Sequence, residues 1–277
     1  MKRYFLILFS IFYIILISLS CRGKEFKWPN DTLAAVCLTY DDGIDVHLDN
    51  AVPDLDAVKL KGTFFIPGNA TSFYNRMEEW RAAAANGHEI GNHTLFHPCL
   101  KIPEYTNERE WLENPDRMLE NYTVPRIVDE LKLANTLLYA VDGKKERTYA
   151  YTCYDTVAGG KTYINDIRPL VLAGRIGGDR IVPDMKSLDL HKIPSLVSGE
   201  ETTADNLISV IEKAADAGTM AVITFHGVGG AYINTNRDVH HELLAYLDSN
   251  RKRLWIATFL EIVKHIKTER KRVGWNK

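Results

Sequence analysis

Two adjacent carboxylates, Asp41 and Asp42, directly follow a short apolar run, residues 33–38 and Thr39-Tyr40, and precede Gly43. Such a run is typical of a buried strand, and a glycine permits a sharp exit from it. In barrel and open α/β folds, chemistry is carried at the carboxyl ends of strands. Since successive strand residues point to opposite sides, one carboxylate could hold a metal while the other takes a proton. Asp-Asp-Gly is also an ordinary turn sequence, which is the competing interpretation.

Two histidines with a spacing of four, His93 and His97, form a second group. This spacing places both rings on one side of a helical turn, which suits two ligands of one metal. Gly91-Asn92 precede the pair and Pro98 follows it, so the motif belongs to a loop. By itself, this spacing also fits a chance pairing or hydrogen bonding within a loop.

A third group is His226, which ends the apolar stretch 221–225 and is followed by a glycine-rich segment, residues 227–230. This position is typical of an active-site side chain, although a core histidine bonded to a carbonyl is the alternative. One aspartate and two histidines form a three-ligand set that leaves a position for water, as catalytic zinc requires. With a second carboxylate as base and a separate histidine as acid, the three groups predict a metal-dependent hydrolase.

The elements that must position these groups alternate between strand and helix. Apolar runs predict strands that end at Asp41 or cover residues 61–68, 88–93, 148–151, 220–225 and 253–256. Helical periodicity predicts helices over residues 46–60, 76–85, 124–139, 202–217, 238–247 and 259–267. This alternation, without an internal repeat or a low-complexity linker, favours one α/β domain with a largely parallel sheet, open or closed into a barrel.

These motifs resemble those of the polysaccharide deacetylases of carbohydrate esterase family 4, which share the NodB homology domain. Residues 39–43, TYDDG, are similar to the family's T-F-D-D-G motif with Tyr for Phe. Residues 93–98, HTLFHP, are similar to its H-[ST]-x-x-H-P motif, and the lead-in from residue 87 also matches. Residues 224–226, TFH, resemble its L-x-H motif with Thr for Leu. The resemblance spans about residues 33–265.

The resemblance implies a single-domain, distorted (β/α) barrel of the NodB type, with the site at the carboxyl ends of the strands. It implies that Asp41 is the catalytic base and His226 the general acid. It also implies that Asp42, His93 and His97 bind one divalent metal, for which Zn²⁺ is the default and Co²⁺ or Ni²⁺ are alternatives. The implied activity is removal of O- or N-linked acetyl groups from a polysaccharide or oligosaccharide.

The third family motif departs from its common form. Residues 149–155, YAYTCYD, resemble the variant F-A-Y-P-x-G-D and contain no arginine, whereas the common Arg-Pro-Pro-Tyr form supplies an Arg that orients the catalytic Asp. In this alignment the backbone amide of Cys153 is the oxyanion donor. The arginine contact is then either missing or supplied from elsewhere, with Arg168 and Arg175 as candidates.

The family's fourth motif, an Asp followed by Trp that supports the catalytic histidine, has no clear counterpart, and Asp184, Asp189 or His191 could replace it. Two other functions therefore stay open. One is a hydrolase of small amides, acting on non-peptide C–N bonds, on the same scaffold. The other is a glycan-binding lipoprotein that has lost turnover.

The N-terminus predicts export. Lys2 and Arg3 precede an apolar segment, residues 4–19, and Cys21 follows a small residue, which resembles a bacterial lipoprotein signal with Cys21 as the lipidated residue. Ser18 stands where that signal usually has Leu, and an uncleaved signal anchor is the alternative. We therefore expect a signal peptide over residues 1–20, a tether over 21–31 and a catalytic domain over 32–277. The expected location is periplasmic or cell-surface.

Composition limits the partners. The chain has 277 residues, is 45% hydrophobic and carries a formal charge of −2. It can build one substantial core, and its charge makes no electrostatic case for nucleic acid or an anionic membrane. The expected partner is an acetylated carbohydrate, with membrane contact only through the N-terminal lipid, and the oligomeric state is left open. Cys37 is predicted to be buried, whereas Cys99 and Cys153 lie close enough to the motifs to approach one another.

Overall fold

The computed structural model describes residues 25–101, 109, 112–178 and 180–275. The predicted signal peptide and Cys21 lie outside the described residues. The strands are β1 (Ala34–Asp41), β2 (Thr63–Ile66), β3 (Glu89–Asn92), β4 (Tyr149–Ala150), β5 (Val157–Ala158), β6 (Lys161–Thr162), β7 (Gly174–Arg175), β8 (Leu196–Val197), β9 (Met220–Phe225) and β10 (Leu254–Ile256).

One eight-stranded sheet organises the described residues. Its order is β7-β4-β3-β2-β1-β9-β8, and β10 pairs with the first half of β1. All of its pairings are parallel, whereas β5 and β6 form a separate antiparallel pair. Just before β8, Ile193 forms a parallel bridge with Arg175 of β7, which brings the two ends of the sheet together. The predicted distorted (β/α) barrel is therefore confirmed.

Helices pack on both faces of this sheet. They are α1 (Val52–Ala57), α2 (Thr71–Asn75), α3 (Met77–Ala85), α4 (Val124–Asp142), α5 (Ile164–Ile167), α6 (Ala204–Ala217), α7 (Arg237–Ser249) and α8 (Phe259–Val273). Helix α6 begins with a capping box in which Thr203 and Asn206 bond each other's backbone amides, and it ends at left-handed Gly218. The prediction of one helix over residues 46–60 differs from the structure, in which a π-helical turn, His47–Ala51, leads into the short α1.

The alternation of side chains along β1 explains towards which face of the sheet Asp41 points. Ala34, Val36, Leu38 and Tyr40 pack into one cluster with helices α1, α3, α6 and α7, while Ala35 and Cys37 pack on the opposite face with α8. Asp41 follows the second set in register, so the pleat turns it to the same face as Ala35 and Cys37.

The cysteines follow the expectation from sequence. Cys37 is free and buried, and Cys99 forms a disulfide with Cys153, their Cα atoms being 5.7 Å apart. Among the described helices, none combines the length and the apolar character that a membrane crossing requires.

A buried histidine, His88, makes folding stability depend on pH. The amide of Gly62 donates to its Nδ1 at 3.1 Å, so Nε2 carries the proton and donates to Asp56 at 3.1 Å. Burial lowers the pKa of His88 from 6.5 to about 4. Between pH 6.5 and 4, the unfolded chain therefore binds a proton at His88 that the folded chain does not bind. The stabilisation from the neutral His88 is fully present above pH 6.5 and is lost as the pH falls towards 4.

We expect His88 alone to remove about 3 kcal/mol of unfolding free energy as the pH falls from 6.5 to 4. His88→Gln keeps an acceptor and a donor but cannot titrate, so it should show a shallower loss. The measurement is chemical denaturation of both proteins at a series of pH values, in which the other histidines contribute equally to both curves. Equal pH slopes for the two proteins would contradict this account of His88.

Candidate metal centre

Left-handed backbone is concentrated where the predicted site residues lie. Asp42 has φ +77°, Thr94 +65° and His97 +52°, although none is a glycine. Gly43 follows with φ +57°, and a Cβ there would come within 2.7 Å of Ile66, so this sharp exit from β1 requires glycine. Non-glycine residues in this region are strained, and such strain is concentrated at functional sites.

The structure brings Asp42, His93 and His97 together. Asp42 Oδ1 lies 3.2 Å from Nε2 of His93 and 3.1 Å from Nε2 of His97. Nδ1 of His93 lies 2.8 Å from the carbonyl oxygen of Ala150. Because a carbonyl can only accept, Nδ1 carries a proton, which leaves Nε2 as the ring nitrogen that can offer a lone pair to a metal.

This arrangement fits a divalent cation. Asp42 Oδ1 is buried and has no hydrogen-bond partner among the described residues. Its separations from the two nitrogens are close to the roughly 3.3 Å expected between donors that share one tetrahedral ion with bonds of about 2.0–2.2 Å. The bond from His93 to a backbone carbonyl is also the outer contact that orients metal-binding histidines. The donor set of one carboxylate and two imidazoles therefore suits Zn²⁺ and related metals.

Electrostatics favour the charged carboxylate at this position. Burial by itself would raise the pKa of Asp42, but the charge of the neighbouring His97 holds that pKa well below its ordinary range. Burial opposes the charged form of His97, and the neighbouring Asp42 reverses this and raises the pKa of the imidazole. The carboxylate is thus the anionic centre of the cluster.

Asp41 is held by an arginine that comes from another strand. Nη2 of Arg175 on β7 donates to Asp41 Oδ2, and both side chains are buried. Nη1 of Arg175 also donates to Ser195 Oγ at 3.1 Å and to Thr224 Oγ1 at 2.8 Å. Strands β1 and β7 are separated by three strands in the sheet order, so the contact forms only because the sheet curls. Of the two candidates for the missing contact, Arg175 supplies it.

The other candidates from sequence lie elsewhere. Arg168 pairs with Asp189 at 2.7 Å and also contacts His191 at 3.1 Å. Asp184 accepts the backbone amides of Lys186 and Ser187. The expectation that Asp184, Asp189 or His191 supports His226 is therefore wrong, because each is engaged locally.

His226 faces the same cluster from the end of β9. Its Nε2 lies 3.8 Å from Asp42 Oδ2, and its buried Nδ1 has no hydrogen-bond partner among the described residues. Burial lowers the pKa of this imidazole. His47 was not among the candidates from sequence. Its Nε2 lies 2.7 Å from the carbonyl oxygen of His226 and so fixes the backbone of that residue.

Cys153 lies in a 3₁₀ turn, Thr152–Tyr154, beside the cluster, with φ +49°. Its disulfide with Cys99 ties this turn to the loop that carries His97, and Cys99 Sγ lies 3.7 Å from Nδ1 of that histidine. Cys153 lines the same groove as Asp41, as the oxyanion assignment requires.

The groove above the cluster has a volume of about 1410 Å³. Polar and apolar side chains share its lining, among them Asp45, Asn69, Val197 and Ile233. His240 is buried, with Nε2 2.8 Å from the Tyr40 hydroxyl, on the far face of β1.

Tyr232, which residue types and spacing did not single out, also contacts the cluster. Its hydroxyl donates to Asp42 Oδ2 at 2.8 Å. The glycines after His226 were the available signal, because they permit the tight loop that returns Tyr232 to the site.

Comparisons with known proteins agree with this geometry. Residues 30–156 match the family model described as polysaccharide deacetylase. Over 80 residues, 27% of the chain, it is 42% identical to peptidoglycan-N-acetylglucosamine deacetylase from Bacillus cereus, covering 28% of that protein. The chain spans only 10% to 43% of the length of the curated relatives it matches.

Solved structures share the fold at low identity. A structure from Mycobacterium smegmatis assigned to the polysaccharide deacetylases is 16% identical, with a TM-score of 0.63, and the match covers 88% of this chain and 93% of that one. The crystal structure of Puue allantoinase is 11% identical with a TM-score of 0.61, over 89% and 95% of the two chains. The resemblance in the motifs is thereby confirmed over residues 30–156, the segment that matches the polysaccharide deacetylase model.

Proposed function

We propose that this protein is a metal-dependent hydrolase that removes O- or N-linked acetyl groups from a polysaccharide or oligosaccharide. One observation carries the proposal: Asp42 Oδ1 lies within 3.2 Å of two imidazole nitrogens, beside a second carboxylate, Asp41, that Arg175 holds. The first set has the composition of a catalytic metal site, and the second supplies a base that is not a ligand. The match of residues 30–156 to the polysaccharide deacetylase model supports the same reaction class.

In this proposal Asp42, His93 and His97 hold one divalent ion, with Zn²⁺ as first choice and Co²⁺ or Ni²⁺ as alternatives. When bound, the ion supplies Lewis-acid polarisation of the acetyl carbonyl and a lowered pKa of water. Asp41 accepts the proton of the water that attacks the carbonyl carbon. The bond from that carbon to the sugar oxygen or nitrogen then breaks, and acetate is released.

Two further groups complete the proposed reaction. The backbone amide of Cys153 donates to the oxygen that becomes negative during attack. His226 donates a proton to the departing sugar oxygen or nitrogen, which requires the protonated imidazole. Because burial lowers the pKa of His226, we expect the metal-free site to hold this ring mostly neutral at pH 7.

Metal removal tests the proposal. We expect a chelator to abolish acetate release from an acetylated glycan, and Zn²⁺, Co²⁺ or Ni²⁺ to restore it. The measurement is acetate released from a panel that includes acetylated xylan and chitooligosaccharides, with and without chelator. Full activity in the presence of the chelator, in protein shown to contain no metal, would refute metal dependence.

A hydrolase of small amides on this scaffold is the second candidate. The similarity of fold to Puue allantoinase, at a TM-score of 0.61, is the observation in its favour. The two candidates differ in product. Acetate from acetylated glycans together with no hydrolysis of small amides supports the deacetylase, and the opposite result supports the amidase.

A glycan-binding protein without turnover is the third candidate. Its supporting observation is that Nδ1 of His226 has no side-chain support among the described residues. Metal content, glycan binding and acetate release should be measured on the same sample. Bound metal and bound glycan without acetate would favour this candidate over the hydrolase.

We also propose that the chain is exported and is anchored by a lipid on Cys21, with residues 1–20 as the signal peptide, 21–31 as the tether and 32–277 as the catalytic domain. The signal pattern in the sequence supports this division. Phase partitioning in detergent tests it: the native protein should enter the detergent phase, and Cys21→Ala should move it to the aqueous phase. Partitioning that does not change would contradict lipidation.

A further inference from the structure

The two oxygens of Asp42 face different groups. Oδ1 faces the imidazoles of His93 and His97, whereas Oδ2 accepts the hydroxyl of Tyr232 at 2.8 Å. The aromatic ring of Tyr232 also lies beside His226, with ring centroids 6.2 Å apart. The tyrosine thus occupies the oxygen that is turned away from the histidine pair.

The loop that carries Tyr232 is closed on itself by backbone bonds. The amide of Gly227 donates to the Tyr232 carbonyl at 3.0 Å, and the amide of Thr235 donates to the Gly227 carbonyl at 2.8 Å. The amide of Gly230 donates to the side chain of Asn234 at 2.7 Å. A Cβ on Gly227 would lie 2.1 Å from the Gly230 carbonyl oxygen, so the close approach requires glycine. The loop therefore holds Tyr232 in one place.

Backbone strain accompanies this placement. The residues on either side of Tyr232 are left-handed, Ala231 at φ +67° and Ile233 at φ +46°. A β-branched residue is a genuine outlier in this region, so the conformation of Ile233 is strained. The tyrosine is 51% exposed, so burial of the ring does not account for the strain. What the strained loop achieves is the hydroxyl contact with Asp42.

We propose that Tyr232 is a positioning residue of the metal centre, which fixes Asp42 so that only Oδ1 is directed at the cation. This inference rests on the metal site of the proposed function. Without the hydroxyl, the carboxylate is free to rotate, and binding of the ion must then restrict it. Loss of an outer contact of this kind typically costs about 10–100-fold in metal affinity.

The test is the variant Tyr232→Phe, which removes one oxygen and keeps the ring. Co²⁺ is titrated into the full chain after chelation, and the dissociation constant is read from the absorption of the bound metal. We expect a dissociation constant about 10–100-fold higher than that of the unaltered chain. Tyr74→Phe is the matched control, because Tyr74 is 60% exposed and the same atom is removed; its dissociation constant should be unchanged. Thermal unfolding of the metal-free proteins checks that both variants fold.

The outcomes separate the two proposals. A Tyr232→Phe variant that folds and binds Co²⁺ as tightly as the unaltered chain overturns the role of Tyr232 and leaves the proposed function standing. If the unaltered chain binds Co²⁺ but releases no acetate, the proposed function fails while the affinity comparison still decides the role of Tyr232. An unaltered chain that binds no divalent metal at all overturns both.

Discussion

Replacing Asp41 by Asn should lower kcat for acetate release by about 10²–10⁴-fold and leave metal binding nearly intact. The amide has the size of the carboxylate and can still accept a hydrogen bond from Arg175, so the packing around residue 41 should be preserved. It cannot take up the proton of the attacking water, which is the role that we propose for Asp41. Asp42, His93 and His97 are unchanged in this variant. The measurements are acetate release at saturating substrate and metal content by elemental analysis.

The matched control is Asp45→Asn, since Asp45 lines the same groove but has a side chain that is 57% exposed. It should keep its kcat, because it is not placed to act on the reacting atoms. If Asp41→Asn retains the full rate on an acetylated glycan while Asp45→Asn behaves the same, Asp41 is not the base and the proposed mechanism is wrong.

Replacing Arg175 by Met should lower the free energy of unfolding by about 3–5 kcal/mol and also reduce acetate release strongly. Arg175 and Asp41 are both buried, and removal of the cation leaves the carboxylate without its charge partner. The hydroxyls of Ser195 and Thr224 also lose a donor. The measurements are chemical denaturation and kcat, with metal content as a check that the ligand set survives.

A double-mutant cycle separates the charge pair from general damage to packing. Arg175→Met combined with Asp41→Asn removes both charges, so it should be more stable than Arg175→Met alone. Arg168→Met is the control, because Arg168 pairs with Asp189 at the surface, 41% and 34% exposed. A surface pair of this kind contributes about 0–1 kcal/mol. Equal destabilisation by the two single arginine variants would show that the buried pair has no special role.

The parts of the site that are local in the chain could be predicted from the sequence. The carboxylate pair at the end of β1 and His226 at the end of β9 each follow a strand whose apolar run is visible without any partner. The predicted strand over residues 220–225 agrees with the structure because burial on both sides leaves a continuous apolar run. His93 and His97 likewise follow β3, and their spacing indicated a shared ligand role only together with the carboxylate pair and His226.

The parts of the site that join distant segments could not be predicted. Arg175 belongs to a strand of two residues, Gly174–Arg175, too short for any periodicity, and it lies 134 residues from Asp41 in sequence. From the sequence, Arg168 and Arg175 were both possible partners of Asp41. Only the curl of the sheet, which brings β7 opposite β1, selects Arg175.

The contact between Tyr232 and Asp42 spans 190 residues and depends on a loop with left-handed residues, which side-chain types alone do not reveal. The sequence by itself thus determined which side chains stand at the strand ends, because apolar runs and ligand spacing are local properties. The tertiary structure decided which arginine and which tyrosine reach them, because those contacts depend on how far the sheet curls and how tightly one loop closes.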